Sequence, residues 1–186
     1  MRIALDFDGT IAGWGAAMDR WMRDQLGAEL DPTRDVAEQM AREQLVAMVR
    51  AILGSELTLA MEPLPGALEA IARLSEAHAL YVVTARNELE ARFAREWLER
   101  HRVPLAGVLH TSSASKAPAC DAIGADLLLD DTPAVLADLL PTPTRPVLLE
   151  SRSRRAEPRP AGIHVVEHWA AFEALCARLS TMAEAR

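Results

Sequence analysis

Six short apolar runs alternate with longer amphipathic stretches along this chain of 186 residues. Residues 2–7, 80–84, 106–110, 126–130, 145–149 and 163–166 read as strands. Residues 66–76, 88–102, 115–123, 133–140 and 168–179 read as helices. The strands are near-continuously apolar, as expected of strands buried on both faces. Strands that alternate with helices predict an α/β fold: a Rossmann-like parallel sheet covered by helices on both sides. Half the residues are apolar, enough for one full core. In the fourth helix-type stretch Pro133 fits the first turn, where a missing N–H costs nothing. In the stretch 88–102, Leu89, Phe93, Trp97 and Leu98 recur at helical spacing and predict one apolar face.

The first two strands are far apart. Residues 11–62 contain no convincing strand and read as two helices, 15–26 and 33–53, parted by Asp31-Pro32 and closed by Pro63 and Pro65. Such a length exceeds an ordinary crossover. The expected organisation is therefore a core of residues 1–11 and 63–186 with a small helical cap, 12–62, inserted after strand one. A cap there stands over the carboxyl end of that strand, where open α/β sheets bind ligands.

Two acid pairs close apolar runs. Asp6-Phe7-Asp8-Gly9-Thr10 ends the first, and residues two apart on an extended chain face the same way. One carboxylate of such a pair can attack phosphorus and the other can move protons. Asp130-Asp131 ends the fourth run, suited to an oxygen-seeking magnesium ion or to capping the helix at Pro133. Between the pairs stands Lys116, the only lysine; every other basic residue apart from histidine is Arg. Lys offers a compact point charge where Arg offers a planar fork. Four acids around one such cation suit magnesium-dependent phosphoryl transfer. Thr84 ends the second strand with a hydroxyl able to donate to a phosphoryl oxygen or to cap a helix. Arg86, two residues on, is a candidate for a substrate phosphate or a surface acid.

The motifs Asp6-Phe7-Asp8-Gly9-Thr10, Thr84, Lys116 and Asp130-Asp131, in that order, resemble those of the haloacid-dehalogenase-like superfamily of phosphohydrolases. The resemblance covers roughly residues 1–140, with the cap in the type-one position. It implies that Asp6 is the nucleophile, forming an aspartyl-phosphate, and that Asp8 is the general acid and then the base. It implies that Thr84 and Lys116 hold phosphoryl oxygens. Magnesium would be bound by Asp6, the backbone carbonyl of Asp8 and Asp130, with Asp131 in support. An acid at Asp8 points away from the dehalogenase branch and toward phosphate esters. The run Val82-Val83-Thr84-Ala85-Arg86, with Trp97-Leu98 and the later Ile163-His164-Val165-Val166-Glu167-His168-Trp169, is similar to the small nucleotidase-type, deoxyribonucleotidase-like group. A nucleoside monophosphate is then the expected substrate; another metabolite phosphate and a binding protein without turnover are the alternatives.

Trp14 stands close enough to the first motif to stack on a base, although aromatics at helical spacing, as with Trp21, also fill cores. Met18, Met22, Met40 and Met48 suit an adaptable lining or core filling. A net charge of −7 disfavours a nucleic-acid partner. No apolar run has the length of a membrane span, and no secretory signal is evident, so a cytoplasmic location is expected. Cys120 and Cys176 lack zinc-site spacing and read as buried helical residues. The Arg-rich stretch 151–160 reads as a solvated loop or as a phosphate or partner contact.

Overall fold

In the computed structural model the structure is described for residues 1–31, 34, 36–150 and 158–184. Six parallel strands form the sheet: β1 (Arg2–Leu5), β4 (Ala79–Thr84), β5 (Gly107–His110), β6 (Leu127–Asp130), β7 (Arg145–Leu149) and β8 (His164–Val166). Their order is β5-β4-β1-β6-β7-β8. The chain leaves β1 toward one edge, then returns past it to build the other. β1 and β6 therefore flank the crevice where the order reverses, the usual ligand position of such sheets. Asp6 follows β1 and Asp130 ends β6, so the topology brings the two acid pairs together.

Helices cover both faces. Ile3, Leu5 and Phe7 join α3 (Ala67–Ser75), α4 (Glu88–Arg100) and α7 (Trp169–Glu184) in one buried cluster. Ala4, Val83, Leu128 and Leu148 face the other way, toward α5 (Ala117–Ile123) and α6 (Pro133–Ala137). Burial of these side chains contributes roughly 1.5–3 kcal/mol for each large one. Cys120 and Cys176 are buried on α5 and α7, where burial pushes their thiols up to about 11 and about 12 respectively.

Four details differ from the sequence expectation. Leu89 stands exposed in the first turn of α4; the buried face is Ala91, Phe93, Ala94, Trp97 and Leu98. The helix predicted over 33–53 is α2 (Arg42–Leu53), preceded by a short 3-10 turn at Val36–Glu38, while residues 32, 33 and 35 lie outside the described residues. Between residues 11 and 62 there is strand after all: β2 (Ala12–Gly13) pairs antiparallel with β3 (Glu62–Pro63). Pairs this short carry little apolar pattern, so periodicity cannot reveal them. The helix predicted over 133–140 is regular only through Ala137.

The β2–β3 pair draws together the two ends of the inserted segment. That segment comprises α1 (Gly15–Leu26), α2 and a 3-10 turn at Glu56–Ala60. Its Trp21, Met22, Met48 and Ile52 are continuous with the sheet's buried cluster. Trp97 Nε1 donates to the Met61 carbonyl at 2.8 Å, fixing the return of the segment onto α4. Trp21, Met22 and Met48 are therefore core. Of the Arg-rich stretch, residues 151–157 lie outside the described residues.

Candidate active site

The loop after β1 is built by backbone bonds around Phe7. Asp6 N–H continues the ladder to Leu129 O at 2.8 Å, and the N–H groups of Ile11 and Ala12 both donate to Phe7 O at 3.0 Å. Phe7 points into the core, edge-on to Trp97 with ring centroids 5.3 Å apart. Gly9 turns the chain with φ of 80°. A Cβ on Gly9 would stand 2.5 Å from Asp131 Oδ2, so both space and backbone require glycine there. Trp169 Nε1 donates to Thr10 O at 3.0 Å, and Thr10 Oγ1 donates to Asp6 Oδ2 over a long 3.5 Å. The Trp169 support comes from α7, 159 positions away in sequence. A tryptophan at a helix start carries no signal of that role.

Lys116 immediately precedes α5 and is buried between two carboxylates. Its Nζ donates to Asp6 Oδ1 and, at 2.7 Å, to Asp130 Oδ2. Asp130 Oδ1 accepts from Thr132 N–H at 2.9 Å, which fixes its second oxygen. Thr132 precedes α6 but makes no side-chain capping bond; its hydroxyl donates to Asp131 Oδ1 at 3.1 Å. Asp6, Asp130 and Asp131 each bring one carboxylate oxygen within 4.8 Å of the others, the metal-type cluster among the described residues.

The electrostatics of this floor favour added positive charge. Burial pushes the Asp6 carboxyl well above its ordinary range; Lys116 pulls it back, and the charges of Asp130 and Asp8 push it up again. Burial by itself pushes the Lys116 ammonium down, but Asp6 and then Asp130 outweigh that and hold it above its ordinary value. Asp6 is raised chiefly by its burial, Lys116 by the carboxylates that it faces. Buried hard-oxygen donors short of cationic charge fit magnesium, so the residues suit the ion that the motifs imply.

Asp6, Asp8, Lys116, Asp130 and Asp131 line a cavity of about 400 Å³. Thr132 and Val135 form one side, Ala85 another, and Trp14, Met18 and Val49 the roof. Trp14 lines the cavity, and of the four methionines Met18 does so too. Val49 lacked any sequence signal.

Thr84 is buried one residue behind Ala85, its Oγ1 accepting from the Arg86 backbone N–H at 3.3 Å. Arg86 does not line the cavity. Its side chain lies behind Asp8, which it grips with both ends of the fork: Nε to Oδ2 at 2.9 Å and Nη2 to Oδ1 at 2.8 Å. It is buried rather than at the surface, and the acid it meets is Asp8.

Comparison with known proteins gives the family and the fold. The model of the 5′ nucleotidase, deoxy (pyrimidine), cytosolic type C protein family matches residues 1–179. The chain belongs to this family. Among solved structures, the nucleotidase-family fold matches a hydrolase of the haloacid-dehalogenase type from Bacillus subtilis, bound to magnesium, with TM-score 0.66 at 13% identity over 94% of this chain and 97% of that one. A haloacid dehalogenase-like hydrolase from Streptococcus pneumoniae matches with TM-score 0.63 at 16% identity, over 95% and 97% of the two chains. An L-2-haloacid dehalogenase matches with TM-score 0.63 at 12% identity, over 95% and 98%. No curated protein matches the chain. Among the described residues no helix of this nucleotidase-family protein is long and apolar enough to cross a membrane.

Proposed function

We propose that the protein is a magnesium-dependent phosphatase of a small phosphomonoester, with a nucleoside monophosphate as the favoured substrate. The observation that carries this reading is the convergence of Asp6, Asp8, Lys116, Asp130 and Asp131 on one cavity. Asp6 attacks phosphorus while Asp8 gives its proton to the departing ester oxygen, breaking the phosphorus–oxygen bond. Water then gives a proton to Asp8 as its oxygen attacks phosphorus. The Asp6–phosphate bond breaks and inorganic phosphate leaves, returning both acids to their starting states. Lys116 holds negative charge near Asp6 in check and supports the phosphoryl oxygens; Thr84, expected to share that task, is fully buried and outside the cavity lining, and holds the Arg86 backbone instead. Magnesium, held by Asp6, Asp130 and the Asp8 carbonyl with Asp131 in support, would supply further neutralisation of phosphoryl charge.

Asp8 weighs against dehalogenation, the activity named for several structural relatives. A departing halide needs no proton, whereas an alkoxide does. The roof supports a base-bearing substrate: Trp14 and Met18 both line the cavity, and an indole offers a flat apolar face on which a base can stack. The segment 12–62 acts in this reading as a cap that shields the reaction from bulk water.

The test is phosphate release with magnesium across ribo- and deoxyribonucleoside monophosphates and sugar phosphates, with Asp6→Asn alongside. Nucleotide turnover that vanishes in Asp6→Asn is the expected result. Turnover of sugar phosphates alone keeps the chemistry and removes the nucleotide assignment. No turnover by wild type on any phosphate removes the phosphatase reading and favours a binding role.

A further inference from the structure

Arg86 is the one buried arginine among the described residues, and its guanidinium is fully engaged. Besides the two bonds to Asp8, Nη1 approaches Thr58 Oγ1 at 2.9 Å, Glu90 O at 3.2 Å and Leu53 O at 3.3 Å. Nη2 also reaches Met61 Sδ at 3.7 Å, and Cζ lies 5.1 Å from the Phe7 ring centroid. These partners come from three parts of the chain: the loop after β1, the return of the inserted segment at residues 53–61, and the first turn of α4. Thr58 is itself held, its hydroxyl donating to Ile52 O at 2.6 Å. Asn87 and Glu90 fix the start of α4 by reciprocal bonds of 3.0 Å.

Each guanidinium nitrogen is occupied, so none is left for a substrate phosphate. A buried guanidinium is costly unless fully paired, and here the pairing converges on one carboxylate. A two-point fork fixes the plane of that carboxylate as well as its position. Asp8 keeps some exposure to the cavity, with a side chain 17% accessible, while Arg86 behind it is 1% accessible. Asp8 thus keeps an edge on the cavity while both its oxygens are held by the fork, so its orientation is set from behind.

We infer that Arg86 is the positioning residue of Asp8. It orients the carboxyl group that protonates the leaving oxygen and deprotonates water, and it ties that orientation to the seating of residues 53–61 of the inserted segment. This assignment rests on the phosphatase reading above. A lysine in its place would reach Asp8 with one point charge and leave Thr58 or the carbonyls unmatched.

Leaving-group dependence tests it. Wild type, Arg86→Gln, Arg86→Lys, Asp8→Asn and the Arg86→Gln/Asp8→Asn double variant are assayed with magnesium on p-nitrophenyl phosphate and on an alkyl phosphate. p-Nitrophenolate departs without a proton; an alkoxide does not. Arg86→Gln is expected to lose at least about a hundredfold in kcat/KM on the alkyl ester, the scale of lost general acid catalysis. On p-nitrophenyl phosphate the first step should fall by less than about tenfold, and phosphoenzyme should accumulate because the second step lacks an oriented base. Arg86→Lys should recover only part of the loss. In the Asp8→Asn background, Arg86→Gln should cost less than about threefold more, because the two residues act as one unit.

Equal losses on both esters that multiply in the double variant would make Arg86 merely structural and overturn the assignment. A raised KM with kcat intact on both would make it a phosphate ligand and overturn it equally. If Arg86→Gln does not fold, Thr58→Val decides. It keeps the fork on Asp8, removes one support, and should shift the alkyl-to-aryl ratio by about threefold in the same direction; an unchanged ratio overturns the assignment. A wild type inactive on every phosphate sinks both readings, whereas an active wild type with unbiased variants sinks only the role of Arg86.

Discussion

The floor and the roof of the cavity are built on opposite principles. The floor is charged and locked: Asp6, Lys116, Asp130 and Asp131 are buried at strand ends and a helix start, joined by short bonds. The roof is apolar and only partly enclosed: Trp14 just before α1, Met18 on α1 and Val49 on α2. A rigid floor suits a reaction whose charge development must be met by preorganised groups. A roof of adaptable side chains on an inserted segment suits recognition of whatever the phosphate is attached to. Arg86 is the physical link between the two, bonded at once to Asp8 below and to the return of the segment above.

If the floor carries the chemistry and the roof the choice of substrate, their substitutions should separate. The largest expected effect is Asp6→Asn, with a loss of at least about a thousandfold in turnover, ~4 kcal/mol of barrier. Circular dichroism should show the fold intact; near-wild-type turnover would remove Asp6 as nucleophile. Lys116→Arg comes next, expected to lose at least about tenfold, ~1.4 kcal/mol, because a planar fork cannot occupy the space between Asp6 and Asp130 as a compact ammonium does. An unchanged rate would reduce the single lysine to an accident of composition.

Metal dependence sharpens the contrast without touching a residue. The folded-state value of Asp6 lies above its ordinary 3.8. A raised acid stabilises the metal-free protein below the ordinary value, and that contribution is lost as pH rises through the folded-state value. Magnesium requires the ionised carboxylate, so thermal stabilisation by a fixed magnesium concentration should grow as pH rises above the ordinary carboxylate range. A shift that shrinks with rising pH would contradict the metal assignment of the floor. The smallest effect belongs to the roof. Trp14→Leu should raise KM for nucleoside monophosphates by about fivefold, near 1 kcal/mol of stacking, with kcat and the KM for sugar phosphates little changed. An equal change for both substrate classes would return Trp14 to a packing role.

Most of the floor was legible before the fold was seen. Asp6, Asp8, Lys116 and Asp130-Asp131 announce themselves through residue type and through their place after apolar runs, and the sheet order then brings them to one point. Arg86 was legible as a candidate but not in its contacts. Nothing local distinguishes an arginine that reaches outward to a phosphate from one that turns inward to Asp8, because the deciding partners, Leu53, Thr58 and Met61, lie some 25 or more residues earlier. Leu89 shows the same limit from the other side: its spacing suits the buried face of α4, yet it stands exposed while Ala91 and Ala94 join Phe93, Trp97 and Leu98 in that face.

By itself the sequence determined the alternation of strands and helices, and the acids and single lysine of the floor. These follow from local periodicity and from residue chemistry, which act over a few positions. Only the tertiary structure decided that Trp169 braces the loop after β1, that Val49 and Met18 form the roof with Trp14, and that Arg86 stands behind Asp8. Those relations depend on which distant surfaces meet when the apolar faces are buried together, and burial is non-directional until the packed chain makes it specific.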